Sequence, residues 1–147
     1  MRHHSKATLF LIEQLIVIAI FAICAAVCIS IFANAYFMAR DSRDISNALL
    51  AAESVAESFK AVSGDFLSAA DISGGWAETV DGADAIIVFF DSNWRVSDES
   101  EAQYILRLVR DNPPKHTGLL TSELTVSRTG GGNLVTFPVA VRLQAGN

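Results

Sequence analysis

The chain has 147 residues, of which 51% are hydrophobic and 18% charged, and its formal net charge at pH 7 is −5. This length suits one membrane helix and one small globular domain, since much of the hydrophobic excess is concentrated near the N-terminus. From residue 40 onward, nine Lys and Arg stand against fifteen Asp and Glu, a net of −6. That acidic balance disfavours binding of nucleic acid or of an anionic membrane surface by this part of the chain.

The N-terminal stretch predicts a membrane anchor. Arg2 and Lys6 precede it without an acidic residue, and by the positive-inside rule such a flank stays in the cytoplasm. Residues 15–33 then run as LIVIAIFAICAAVCISIFA without a charge. With a few residues added at each end, a helix of this length crosses about 30 Å of hydrocarbon, and it exceeds the ~7–15 residues of a signal-peptide core. The predicted divisions are a basic leader (1–8), a transmembrane helix (9–39) and an extracytoplasmic helix-plus-sheet domain (40–147).

Glu13 interrupts the start of this apolar stretch. It stands in the run TLFLIEQL, which covers residues 8–15, and it is the only acidic residue before residue 40. A carboxylate at the centre of a bilayer costs roughly 2.5–3.5 kcal/mol on insertion scales. Its presence therefore requires a partner or a functional reason.

The order of a short basic leader, Leu11-Ile12-Glu13 and a long apolar helix resembles the N-termini of type IV prepilins and of type II secretion pseudopilins. The later segment ALLAAESVAES, residues 48–58, is similar to the minor subunits of that family. The resemblance implies that a prepilin peptidase cleaves between Thr8 and Leu9, and that Glu13 pairs with the freed amine of a neighbouring subunit. Thr8 stands where that peptidase usually requires glycine, so an uncleaved signal-anchor helix is the alternative.

Both cysteines of the chain lie in the predicted span. Cys24 and Cys28 are four residues apart and therefore share one face of a helix. We expect them to pack as small polarisable side chains rather than to bind a metal or carry a lipid. Because the predicted domain has no cysteine, its stability must come from its core and not from a disulfide.

The helix is expected to continue beyond the membrane. A charged collar at the interface consists of Arg40, Asp41, Arg43 and Asp44. After it, apolar residues recur at steps of four and three, which predicts a stripe that faces a sheet. The stripe comprises Ile45, Leu49, Ala52, Ala56, Phe59 and Val62. Gly64 is expected to end this helix.

The remaining sequence predicts a small antiparallel sheet of about four strands, and hence a pilin-like α+β fold. The predicted strands are 84–90, resuming at 94–96, then 104–110, 119–126 and 134–143, with a hairpin loop at 129–133. Pro138 lacks a backbone N–H, so either the last strand lies at an edge or the amide position of Pro138 faces outward from the ladder. Residues 65–82 are expected to form a connecting loop that can include a short helix, and Trp76 and Trp94 to anchor loops or core.

No pattern for catalysis is present, and we predict neither an enzyme nor a bound cofactor or metal. His116 lies in a predicted turn without an associated nucleophile. The acidic clusters at 81–84 and 98–101 do not have the spacing of a calcium loop, so solvated turns are expected there.

By the resemblance, the chain is a structural subunit of a pilus-like or pseudopilus-like fibre. Its expected partners are other pilin-like subunits, the prepilin peptidase, an assembly platform and the lipid bilayer. After assembly it would belong to a cell-surface fibre. The alternative is an uncleaved, single-pass anchor that carries an extracellular binding domain.

Overall fold

The computed structural model describes residues 4–113 and 118–143, with side chains described from Lys6 onward. His116 and the rest of its predicted turn beyond Pro113 lie outside the described residues. In chain order the elements are α1 (His4–Ala61), α2 (Phe66–Ser73), β1 (Trp76–Val80), β2 (Ala83–Phe90), a 3-10 turn (Glu99–Glu101), β3 (Tyr104–Arg110), β4 (Leu119–Arg128) and β5 (Asn133–Arg142). The chain forms two compact units, which meet in sequence between Ser42 and Arg43.

The α+β prediction is confirmed: a long N-terminal helix packs on an antiparallel sheet. The strand order is β1-β2-β3-β4-β5, so each strand pairs with its neighbour in sequence. The sheet has five strands rather than about four, because β1 lies in the segment predicted as a loop. Asp81 and Gly82 both have positive φ, 50° and 79°, as a tight hairpin turn requires. That turn folds the short sequence WAETV, which has no strong pattern of its own, against the apolar β2.

The helix uses a different stripe from the one predicted. Ala52, Ala56 and Phe59 are buried as expected, but Ile45 and Leu49 are 46% and 41% exposed. Ala48 and Val55, which the predicted stripe omitted, are buried in their place. Small side chains let the helix backbone approach the sheet closely, so here an alanine faces the core and the larger residues lie at its margin.

One face of the sheet forms the core with the two helices. Alternate residues of the central strands point toward α1 and α2, among them Ile86, Leu106 and Leu124, each with 0% exposure. The predicted strand 104–110 therefore turns Tyr104, Leu106 and Leu108 inward, and Arg107 lies on the opposite face. Phe59 of α1 and Phe66 of α2 meet edge to face, with ring centroids 4.8 Å apart.

The segment 94–96 does not resume a strand. Val96 makes a single isolated bridge to Phe90, and Trp94 has a positive φ of 60°. Trp94 instead stacks on Tyr104 with ring centroids 4.0 Å apart, which makes it the predicted loop anchor. The predicted hairpin between β4 and β5 and the edge position of the strand with Pro138 are both confirmed.

Glycines mark the ends of both helices. Gly64, with φ of 87°, follows the end of α1, and its N–H donates to the carbonyl of Phe59 at 2.9 Å. Asp65 then caps α2 by accepting hydrogen bonds from the N–H and hydroxyl of Ser68. Gly75 lies so close to β2 that an added Cβ would come within 2.3 Å of the Ile87 carbonyl oxygen.

Candidate functional site in the N-terminal helix

The N-terminal part of α1 exposes its apolar side chains in the part of the chain that the structure describes. Between Lys6 and Ala61 lies the one helix of the described residues that is long and apolar enough to cross a membrane, and none of its most apolar window is buried. Leu15, Phe21 and Phe32, for example, are 70%, 72% and 76% exposed. So much uncovered apolar surface requires lipid or other helices around it.

The predicted processing residues lie inside this helix. α1 begins at His4 and continues without a break through Thr8 and Leu9, and Leu9 is 68% exposed.

Glu13 lies on a face of this helix that is otherwise apolar. Leu9, Ile12, Ile16 and Val17 lie around it on that face. The Glu13 side chain is exposed and has no ion-pair partner in the part of the chain that the structure describes. A cation that neutralises this carboxylate must therefore come from outside these described residues, whether from water, from lipid headgroups or from another molecule.

The length of the helix decides where Glu13 lies in a bilayer. At 1.5 Å per residue, Glu13 is about 40 Å along the helix from Arg40, whereas the hydrocarbon core is only ~30 Å thick. The aromatic pair Tyr36 and Phe37, with ring centroids 6.1 Å apart, lies next to Arg40, as expected of residues at a membrane interface. With Arg40 at one surface, Glu13 reaches the headgroups at the other. The full insertion cost then applies only when this carboxylate enters a wholly apolar environment.

The two cysteines do not form a disulfide. Cys24 and Cys28 are both free and exposed on the helix surface. They lie about 16 Å and 22 Å along the helix from Glu13, well within the predicted span. They are therefore available to report contacts between neighbouring copies of this helix.

Two ion pairs of the domain have structural roles. Arg128 donates to Asp44 at 2.8 Å and ties the hairpin end of β4 to the helix. Arg110 pairs with Asp84 at 3.3 Å in a more exposed position. Sequence reasoning missed both pairs, because the opposing residues are far apart in the chain. Strand register brings Asp84 to Arg110, and the packing of α1 on the sheet brings Asp44 to Arg128.

Neither the acidic clusters nor the domain pockets form a metal site. Within the described ranges, no group of three or more His, Cys, Asp or Glu side chains is arranged to hold a metal ion. Among the acidic residues, the pKa of Asp65 is lowered from its ordinary value of 3.8, chiefly because the Ser68 hydroxyl and N–H donate hydrogen bonds to its carboxylate. Because these bonds cap α2, the shift is explained by a structural role.

The most distinctive site is therefore the exposed apolar helix with its single carboxylate. Comparison of the chain with protein-family models, with curated proteins and with solved structures gives no match.

Proposed function

We propose that this protein is a non-enzymatic structural subunit that assembles through α1 into a pilus-like or pseudopilus-like fibre, as a minor or initiating subunit. Its N-terminus lies in the cytoplasm and its acidic domain outside the membrane before assembly. The prepilin peptidase releases residues 1–8, and an assembly platform moves the subunit from the bilayer into the fibre.

The observation that supports this proposal is Glu13, a carboxylate without an ion-pair partner among the described residues, on a helix face that is otherwise apolar and exposed. In the bilayer the carboxylate reaches the headgroups, so it costs little there. Within a bundle of such helices it is surrounded by apolar side chains, where an isolated charge is strongly unfavourable. The free amine of Leu9 on a neighbouring copy would neutralise it, and this pair would also set the axial register between subunits.

A single-pass anchor with an extracellular binding domain is the second candidate function. It is favoured by Thr8, which replaces the usual glycine before the cleavage site, and by the unbroken helix through the bond between Thr8 and Leu9. The mature N-terminus separates the two functions. Coexpression with an active prepilin peptidase should shorten the chain by residues 1–8, as measured by mass spectrometry of the membrane fraction; a chain that keeps Met1 favours the anchor.

The decisive experiment is Glu13→Gln in the full chain, with oxidative crosslinking through the native Cys24 and Cys28 in membranes. The unaltered chain should form disulfide-linked species larger than dimers. Glu13→Gln should insert at normal levels but lose most of these species, because each neighbouring amine would enter the apolar bundle without a counter-charge.

The matched control is Glu57→Gln, which removes an exposed carboxylate from the domain part of the same helix. It should crosslink like the unaltered chain. Equal yields from Glu13→Gln and Glu57→Gln would show that Glu13 does no pairing, and the anchor function would then be preferred.

A further inference from the structure

The face of the sheet that points away from both helices is called here the outer sheet face. The β2 residues on it, Ala85, Ile87 and Phe89, are buried at 0%, 7% and 6% exposure, whereas charged side chains of the other strands are exposed there. The strand register aligns one row of residues across all five strands: Trp76, Ile87, Arg107, Thr125 and Thr136. The hydroxyl oxygens of Thr125 and Thr136 are 3.4 Å apart, which confirms that this row shares one face. The adjacent row consists of Glu78, Ala85, Val109, Glu123 and Pro138.

The charges on the outer sheet face differ from those on the helix-facing side. Arg110 and Arg128 point toward the helices and are paired with carboxylates. The outer sheet face carries two cations and two anions, Arg107, Arg142, Glu78 and Glu123, all exposed. None of these four has an ion-pair partner among the described residues.

Trp76 adds an apolar anchor to this face. Its side chain is 41% exposed, although its ring rests on Phe89 with centroids 4.7 Å apart. Exposed Trp and Arg beside small apolar residues are the composition of protein-binding surfaces, where these two residue types dominate the binding energy. A face with equal numbers of both charges does not suit a polyanion such as nucleic acid, whereas exposed Arg107 and Glu123 can each pair with the other residue on a second copy.

We propose that the outer sheet face binds the same face of a second copy of this chain about a twofold axis. Arg107 of each copy then lies opposite Glu123 of the other, since an isologous contact always pairs two residues in both directions. Arg107 and Glu123 lie on the adjacent strands β3 and β4, so the axis passes close to Val109 and Thr125. This contact does not depend on the fibre or on Glu13.

The size of the face indicates a weak dimer. Four strand spacings of ~4.8 Å and a shared length of about six residues at ~3.3 Å give a patch of roughly 400 Å² per copy. The total of roughly 800 Å² for two copies lies below the ~1,200–2,000 Å² of stable specific interfaces, so the contact is weak. Tethering to the same membrane compensates, because it raises the effective concentration of one copy near another.

The test uses the full chain in membranes, with Cys24→Ala and Cys28→Ala to remove the native thiols. Thr125→Cys, near the proposed axis, should form a disulfide-linked dimer on oxidation and no larger species. Ser54→Cys, on the exposed side of α1, is the matched control and should remain monomeric. Thr125→Cys yields no greater than those of Ser54→Cys would overturn the proposal.

Charge reversal distinguishes the proposed contact from random collision. Arg107→Glu should lower the dimer yield by about fivefold, since like charges would then face each other across the interface. Adding Glu123→Arg to that variant should restore the yield, and circular dichroism should show an unchanged fold in both. Adding Glu13→Gln should leave the Thr125→Cys dimer unaffected. The proposed contact would be contradicted if Arg107→Glu left the yield of the Thr125→Cys dimer unchanged. It would also be contradicted if Glu13→Gln lowered that yield.

Discussion

The two parts of α1 are one continuous helix in two different environments. Before Ser42 its apolar side chains are exposed on all sides, as Phe21 and Phe32 illustrate. After Arg43 only one side is apolar and buried, and that side is built from alanines, Val55 and Phe59. The same helical backbone therefore has two environments. The apolar side chains of the first part require lipid or other molecules around them, and those of the second part pack against the sheet.

This difference shows which residues carry the stability of the domain and which remain available for partners. In the domain part, the apolar side chains of the helix are already buried against the sheet. In the span, the apolar side chains and Glu13 remain available for contacts between molecules. Substitutions that disturb the domain should therefore act through packing, and those in the span through assembly.

The largest effect is expected at Phe59. The Phe59 side chain is fully buried. In the isolated fragment 40–147, Phe59→Ala should therefore lower the free energy of unfolding by about 3–5 kcal/mol. Leu49→Ala is the matched control: Leu49 lies on the same helix but is 41% exposed, and about 1 kcal/mol or less is expected. Chemical denaturation followed by tryptophan fluorescence measures both. Similar losses at the two positions would mean that the helix docks by the stripe first predicted from the sequence.

An intermediate effect is expected at Gly75. An added Cβ would collide with the Ile87 carbonyl oxygen at 2.3 Å and with a methyl group of Val88 at 2.7 Å, so Gly75→Ala should cost about 1–3 kcal/mol as β1 or α2 moves away. Gly130→Ala is the control, because a Cβ there meets nothing within 4 Å. Thermal unfolding of the same fragment compares them. If both variants melt alike, β1 does not approach β2 as described.

The smallest effect concerns the cap of α2. Because the pKa of Asp65 is lowered in the folded state, its contribution to stability is present above its ordinary pKa of 3.8 and is lost as the pH falls through the lower folded value. Asp65→Asn keeps a capping side chain but cannot titrate. The unaltered domain should thus lose slightly more stability than Asp65→Asn between about pH 5 and pH 2. Parallel pH profiles of the two would indicate that the carboxylate does not cap the helix.

The candidate site was predictable from the sequence because its signals are local. Thr8, Leu9 and Glu13 stand out by charge and hydropathy along one helix, and the structure leaves them on that helix with Glu13 exposed and unpaired among the described residues. The outer sheet face was not predictable. Arg107 and Glu123 belong to strands whose pairing is fixed by register, and a shift of one residue would send both side chains to the opposite face.

The sequence by itself determined the long helix, its apolar first part, the antiparallel strands and the edge position of Pro138, since each follows from periodicity or from a missing N–H. Only the tertiary structure decided that Ala48 and Val55, rather than Ile45 and Leu49, face the sheet. It also decided that the residues after Gly75 form a fifth strand. On the helix, close approach to the sheet selects small residues, and that distance is set by the packing of the whole domain. β1 has no strong pattern of its own, and pairing with β2 across the turn at Asp81 and Gly82 makes it a strand.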